Sequence, residues 1–204
     1  MSTAQLRDAD RVATGPDPDA LAHTLDPGVA AAVWQRPRDA AFAEWIDTLA
    51  PDALPALRVK VAPAHAGDAV RAACARAGTP HGAMRERLAE DVGALALIFA
   101  GLMAAPMLGL RLDVVADDAC RRFHCDRVTA RLLCTLRGRG TQFGVGAPGT
   151  EPAETQELST GSAAIFRGAL WPGETTRLLH RSPPVAGRGE TRLLLVLDPL
   201  AQAP

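Results

Sequence analysis

The chain has 204 residues, with 22 Lys+Arg against 23 Asp+Glu, and this balance excludes a basic nucleic-acid binder and a polybasic membrane-surface protein. Hydrophobic residues make up 48% and charged residues 22%, enough to bury a core, and the length fits one domain with an N-terminal extension. Tyr is absent, Lys60 is the only lysine, and the five His and four Cys are the scarce reactive types.

Residues 1–38 are punctuated by Gly15-Pro16-Asp17-Pro18, Pro27-Gly28 and Pro37, which predicts a loosely ordered arm with about one helical turn. The first eighteen residues are polar and lack the apolar stretch of a secretory signal, so a reducing cytoplasm and free thiols are expected. Asp39–Ala50 places Phe42, Trp45, Ile46 and Leu49 on one helical face. Leu57–Val61 alternates like a short strand, Gly67–Ala77 is an Ala-rich helix, and Pro80 to about Ala104 is a longer one. Val92–Leu110 is uncharged over 19 residues, but Pro106 and Gly109 divide it into a buried helix and a following strand rather than a membrane span.

From Leu108 the texture becomes strand-like: Leu108–Val115, Arg127–Leu136, Ala163–Phe166, Thr176–His180 and Thr191–Leu197. Gly- and Pro-rich turns separate these runs, among them the glycine-rich Gly138–Gly149, read as a hairpin loop rather than a phosphate cradle. The expected fold class is therefore α+β. A helical N-terminal half, with its support at 39–107, packs on a β-sandwich or barrel at 108–199, and residues 39–204 form a single domain.

The chemistry is expected in Cys120-Arg-Arg-Phe-His124-Cys125-Asp126. In an extended chain His124 and Asp126 share a face, giving an imidazole and a carboxylate for a divalent metal, and His180 at a strand end supplies a third ligand. Two His and one carboxylate form the facial triad of non-haem Fe(II) oxygenases, which leaves positions open for cosubstrate and O₂. Arg192, twelve residues beyond His180, is placed to bind a dicarboxylate cosubstrate as a bidentate partner.

Two alternatives stand beside this. His180 could cap a turn while Arg192 pairs with a surface carboxylate such as Glu190. Cys120, Cys125, Cys134 and a histidine could instead hold zinc, although their spacing lacks a Cys-x2-Cys knuckle and buried inert thiols are the commoner outcome.

The order His-x-Asp, a distal His, then a basic residue resembles the Fe(II)/2-oxoglutarate-dependent dioxygenases, including prolyl-4-hydroxylase-like proteins. More closely, Cys120-Arg-Arg-Phe-His-Cys-Asp, Arg131-Leu-Leu-Cys-Thr, Gly138-Arg-Gly-Thr-Gln-Phe, Ala164-Ile-Phe-Arg-Gly and His180-Arg-Ser-Pro-Pro resemble a bacterial domain-of-unknown-function family of similar length, over roughly 108–199. The resemblance implies a double-stranded β-helix of the jelly-roll or cupin-like type. It implies His124, Asp126 and His180 as metal ligands, Arg192 as the 2-oxoglutarate anchor, and Fe(II) and 2-oxoglutarate as cofactors. Many such oxygenases use a Tyr on the cosubstrate; this chain has none, and either Arg131 takes that part or the cosubstrate site is different or lost. The reading is an Fe(II)/2-oxoglutarate-dependent hydroxylase acting on a small molecule or protein, with no nucleic-acid or membrane partner. The rivals are a non-catalytic metal-binding or metal-handling protein on the same β fold, and a degenerate fold kept for protein–protein interaction.

Overall fold

The computed structural model describes residues 7–118, 120–147 and 149–200. The helices fall where the apolar periodicity places them. α1 (Ala40–Thr48) starts at Asp39, whose side chain accepts a hydrogen bond from the Phe42 backbone N–H at 2.8 Å, and it buries Ile46 completely. α2 (Ala66–Ala77) stops at Gly78, which takes φ 69°, a left-handed conformation that suits glycine. α3 (Ala83–Leu102) buries Leu88, Val92, Leu95 and Phe99 along one stripe. At about 1.5–3 kcal/mol for each large apolar side chain, that stripe is the main reason the helix stays docked. Among the described residues, no helix is long and apolar enough to cross a membrane. The uncharged Val92–Leu110 stretch instead divides at Met103–Pro106 into the end of α3 and the start of a strand.

The N-terminal segment departs from expectation. Instead of a loose arm it contributes β1 (Arg7–Ala9), β2 (Arg11–Gly15), a 3₁₀ segment at Pro18–Leu25 and β3 (Val29–Trp34). β3 is buried because it pairs with residues more than 130 positions away, with Ala32 opposite Ile165. Its Val-Ala-Ala-Ala-Val core carries no alternation to read, and its burial comes from lying between β2 and the distant β9. The first half of the chain is thus mixed rather than helical, since β4 (Leu57–Val61) also joins the sheet.

The remaining strands are β5 (Met107–Val115), β6 (Ala130–Arg137), β7 (Gln142–Val145), β8 (Gln156–Glu157), β9 (Ala163–Arg167), β10 (Glu174–Thr176), β11 (Leu178–Arg181) and β12 (Arg192–Leu200). The glycine-rich run read as a loop therefore contains β7. Among the described residues the strands form a seven-stranded sheet in the order β2-β3-β9-β6-β12-β5-β4, a three-stranded sheet β11-β7-β8, and a parallel β1-β10 pair.

Strand alternation separates two cores. Leu132, Cys134, Leu136, Leu193, Leu195 and Leu197 face the helices. Leu133, Leu194, Val196, Ala164 and Phe166 face the smaller sheet and meet Phe143 and Leu178 there. The site lies on this second side, between the two sheets.

Candidate metal centre

β11 carries His180, and its geometry fixes the loop that precedes β6. His124 and His180 exchange both backbone hydrogen bonds, at 3.0 and 2.9 Å, as an isolated antiparallel bridge. Ser182 N–H donates to the Cys120 carbonyl at 2.9 Å, and Phe123 is buried beneath the Arg181 guanidinium. The segment bearing His124 and Asp126 is therefore not the regular strand that the i, i+2 argument assumed. Single-residue pairing to β11 produces the convergence instead.

Asp126 is fixed from the other side. Ala169 N–H donates to its carbonyl at 2.8 Å and Gly168 N–H to that of Thr129 at 2.8 Å. Gly168 can come this close because it has no side chain: a Cβ there would lie 2.0 Å from the Val128 carbonyl oxygen.

The three side chains converge. Ligand atoms of His124, Asp126 and His180 all lie within 4.8 Å of one another, and among the described residues this is the group able to hold a metal ion. His124 Nε2 is 3.5 Å from Asp126 Oδ1, and His180 Nε2 is 3.0 Å from Asp126 Oδ2. The imidazole of His180 lies between the rings of His124 and Phe166, with centroids at 4.7 and 5.0 Å. His124 Nδ1 faces the Arg122 carbonyl at 2.9 Å, which sets Nδ1 as a protonated nitrogen, while Asp126 beside Nε2 raises the His124 pKa, so a metal bound at Nε2 would displace a proton there.

The donor set fits a divalent cation on a further observation. Asp126 Oδ2 is buried yet has no partner in hydrogen-bonding geometry, despite the nearby His180 and Arg131 nitrogens. The Arg131 guanidinium supplies charge to this oxygen but no aligned donor, so the carboxylate keeps ligating capacity for a metal ion. Burial pushes the Asp126 pKa up, but contacts with His124 and His180 and the charge of Arg131 outweigh it and hold the group well below the usual carboxylate range. Burial pushes His180 down, only partly opposed by Asp126, which favours the neutral imidazole that metal binding requires.

Arg131 lies beside the triad, but its guanidinium is already engaged. Nη1 is 2.7 Å from Asp126 Oδ2, while Nε and Nη2 bind both oxygens of Asp198 at 2.6 and 2.9 Å. This Arg positions Asp126. Asp198, the anchor of that arrangement, was missed in the sequence because nothing local connects it to a residue 67 positions earlier.

Arg192 is the largest fully buried side chain described. Its nitrogens reach the Arg139 carbonyl at 2.7 Å, Ser182 Oγ at 3.1 Å and Thr135 Oγ1 at 3.4 Å, all neutral acceptors. Glu190 is not among them. Burial, only partly offset by the more distant Glu157, pushes its pKa down to about 10. Glu157 is itself paired with Arg139.

A cavity of about 540 Å³ is lined by His124, His180, Arg131, Thr141 and Ser182 and floored by Leu133, Leu194 and Val196. Ser182 is a further residue that sequence reasoning passed over. Its signal was present, because Ser182 follows His180 by two positions and so shares its face. Of the thiols, Cys120 lines the cavity, whereas Cys134 lies on the helix-facing side against Arg36 at 3.3 Å. The described cysteines therefore do not gather into a cluster of their own.

The family model described as "Protein of unknown function (DUF1826)" matches residues 15–198. No curated protein matches the sequence. Among solved structures, the chain is similar to a dioxygenase for auxin oxidation from Arabidopsis thaliana, determined as its binary complex with 2-oxoglutarate. The identity is 11%, the TM-score 0.56, and the match covers 95% of this chain and 93% of that one. It is also similar to the rice dioxygenase for auxin oxidation, with 18% identity, a TM-score of 0.46, and coverage of 97% and 83%. The Arabidopsis match shows that the chain shares the overall fold of that structure.

Proposed function

The chain belongs to the DUF1826 family, and from that premise we propose that it is an Fe(II)- and 2-oxoglutarate-dependent oxygenase of the hydroxylase type. The observation that carries this reading is the convergence of His124, Asp126 and His180 within 4.8 Å at the wall of a cavity whose lining residue Ser182 accepts a hydrogen bond from the buried Arg192. His124 Nε2, an Asp126 carboxylate oxygen and a ring nitrogen of His180 would hold the ion, leaving coordination positions open toward the cavity. Bound Fe(II) would supply the redox chemistry that couples 2-oxoglutarate and O₂ to hydroxylation of a C–H bond.

The protein residues do the holding and orienting. The Arg122 carbonyl sets the His124 tautomer, and the Arg131–Asp198 pair fixes Asp126. Arg192 is a cation buried among neutral acceptors, a state that the distal carboxylate of 2-oxoglutarate would compensate. Ser182, which accepts from Arg192 Nη1 and lines the cavity, gives that carboxylate its approach. With no Tyr in the chain and Arg131 committed to two carboxylates, the hydroxyls facing the cosubstrate come from Ser182 and Thr141.

Anaerobic addition of Fe(II) and 2-oxoglutarate tests this directly. A visible metal-to-ligand charge-transfer band is expected, and it should vanish in His124→Ala and His180→Ala. Its absence from protein shown to bind Fe(II) would overturn the dioxygenase reading.

The position of Cys120 in the same cavity supports a second reading, a metal-handling protein that holds zinc with the triad plus this thiolate. Zinc affinity that collapses in Cys120→Ser, together with no charge-transfer band, would favour it.

A further inference from the structure

The sheet face below the triad has a direction. β6 lies beside the triad, β12 follows, and β5 and the edge strand β4 form the far rim. Leu133, Leu194 and Val196 make an apolar strip across β6 and β12. Beyond it, Arg111 on β5 stands directly opposite Arg58 on β4, and both line the same cavity as His124 and His180.

Like charges directly opposite across two strands repel one another. Asp113 pairs with Arg111 through Nη1 at 3.6 Å, not through Nε. Arg111 Nε is buried with no hydrogen-bond partner among the described residues. Lys60 adds another cation two positions along β4 from Arg58, on the same face. The other guanidinium groups of the cavity are occupied: Arg131 by Asp126 and Asp198, and Arg181 by Gln142 and Glu151 while it stacks on Phe123.

We propose that Arg58 and Arg111 form the substrate-recognition end of this cavity and take an amphiphilic small molecule with one carboxylate or phosphate head. This proposal rests on the oxygenase reading for the term "substrate". The head group would satisfy Arg111 Nε and bridge the two guanidinium groups, each acting as a charge-assisted donor. The apolar body would lie along Val196, Leu194 and Leu133 toward the triad. Strands stand about 4.8 Å apart, so the distance from β5 to β6, two strands over, puts the reacting carbon roughly 10 Å from the anionic head. The anion site is separate from Arg192, which sits on β12 two positions before Leu194, opposite Val115 of β5, and binds Arg139, Ser182 and Thr135.

Isothermal titration of the metal-free full chain with 4-phenylbutyrate, octanoate and octyl phosphate, against 4-phenylbutyramide and octanamide, tests the anion site alone. The anions are expected to bind and the amides not. Binding should weaken as salt rises and fall at least tenfold in the Arg58→Gln/Arg111→Gln double variant, while Arg192→Met leaves it unchanged. The double variant relieves a like-charge pair, so its melting temperature should hold or rise, which separates lost binding from lost folding.

Equal binding of amides and anions, indifference to the double substitution, or no anion binding at millimolar concentration would each overturn the proposal. The charge-transfer band in the same double variant distinguishes the two readings. The band retained with anion binding lost sustains both readings, whereas no band in wild type with anion binding intact rejects the oxygenase and leaves the anion site standing.

Discussion

Replacing Arg192 by Met should separate the stability of the protein from its affinity for cosubstrate, because the buried guanidinium works against the first and for the second. Its pKa, held down to about 10 by burial, corresponds to about 3 kcal/mol of disfavour toward the charged form. Met fills most of the same space without that charge. Against this, the Arg139 carbonyl loses its 2.7 Å donor, a cost of about 1–3 kcal/mol, while the Ser182 and Thr135 hydroxyls can rotate to other partners. The opposing effects nearly cancel.

A chain of this size shifts about 2–4 °C per kcal/mol, so the Met variant without ligand should melt within about 5 °C of wild type. A bidentate carboxylate contact from a buried Arg is worth about 2–5 kcal/mol, so 2-oxoglutarate affinity should fall at least about thirtyfold. The assay is thermal unfolding, with and without 2-oxoglutarate, of protein loaded with Mn(II) as an ion that does not turn over. At 100 times Kd, wild type should gain about 2.7 kcal/mol, or roughly 5–10 °C, and the variant much less at the same concentration. A drop of more than about 15 °C in the absence of ligand would show that Arg192 is structural. An unchanged cosubstrate shift would show that the carboxylate binds elsewhere.

Gly168→Ala should destabilise the chain by more than about 2 kcal/mol and weaken metal binding, because its Cβ would meet the Val128 and Asp126 carbonyls at 2.0 and 2.8 Å. Denaturant melts and competitive titration of Co(II) check both parts, and wild-type metal affinity in the folded variant would refute the link to Asp126. Asp39→Ala removes the N-cap of α1 and should lower stability modestly while leaving metal affinity intact. Chemical denaturation measures the first part, and the same Co(II) titration measures the second. Thiol labelling of the native protein at pH 8 should modify exposed Cys120 rapidly and spare Cys74 and Cys134, since burial pushes the Cys134 thiol up to about 11. Fast labelling of Cys134, read by peptide mass spectrometry, would contradict its place behind the sheet.

Helices α1, α2 and α3 were legible because each buries one face, and a 3.6-residue apolar period writes that face into the sequence. β3 was not, because its burial comes from β2 and β9 on either side rather than from alternation within Val29–Trp34. At the centre, His124 and Asp126 could be read from residue type and spacing. The geometry that brings them to His180 was only half legible, since an isolated bridge and the Gly168 contact, not a continuous strand, set it. Arg131 shows the same divide: its place beside the triad follows from its strand, but its two carboxylate partners lie 5 and 67 positions away.

The opening counts of charge, His and Cys already bounded the chemistry. By itself the sequence determined which segments carry local periodicity and which side chains can ligate a metal or bind a carboxylate, because these depend on residue type and near-neighbour spacing. Tertiary structure alone decided that the N-terminal segment is part of the sheet, that Cys134 faces away from the centre, and that Arg192 is buried without an anion. Each of those facts is a pairing between distant residues, and the energy of such a contact depends on what the fold brings to a position rather than on the residues beside it.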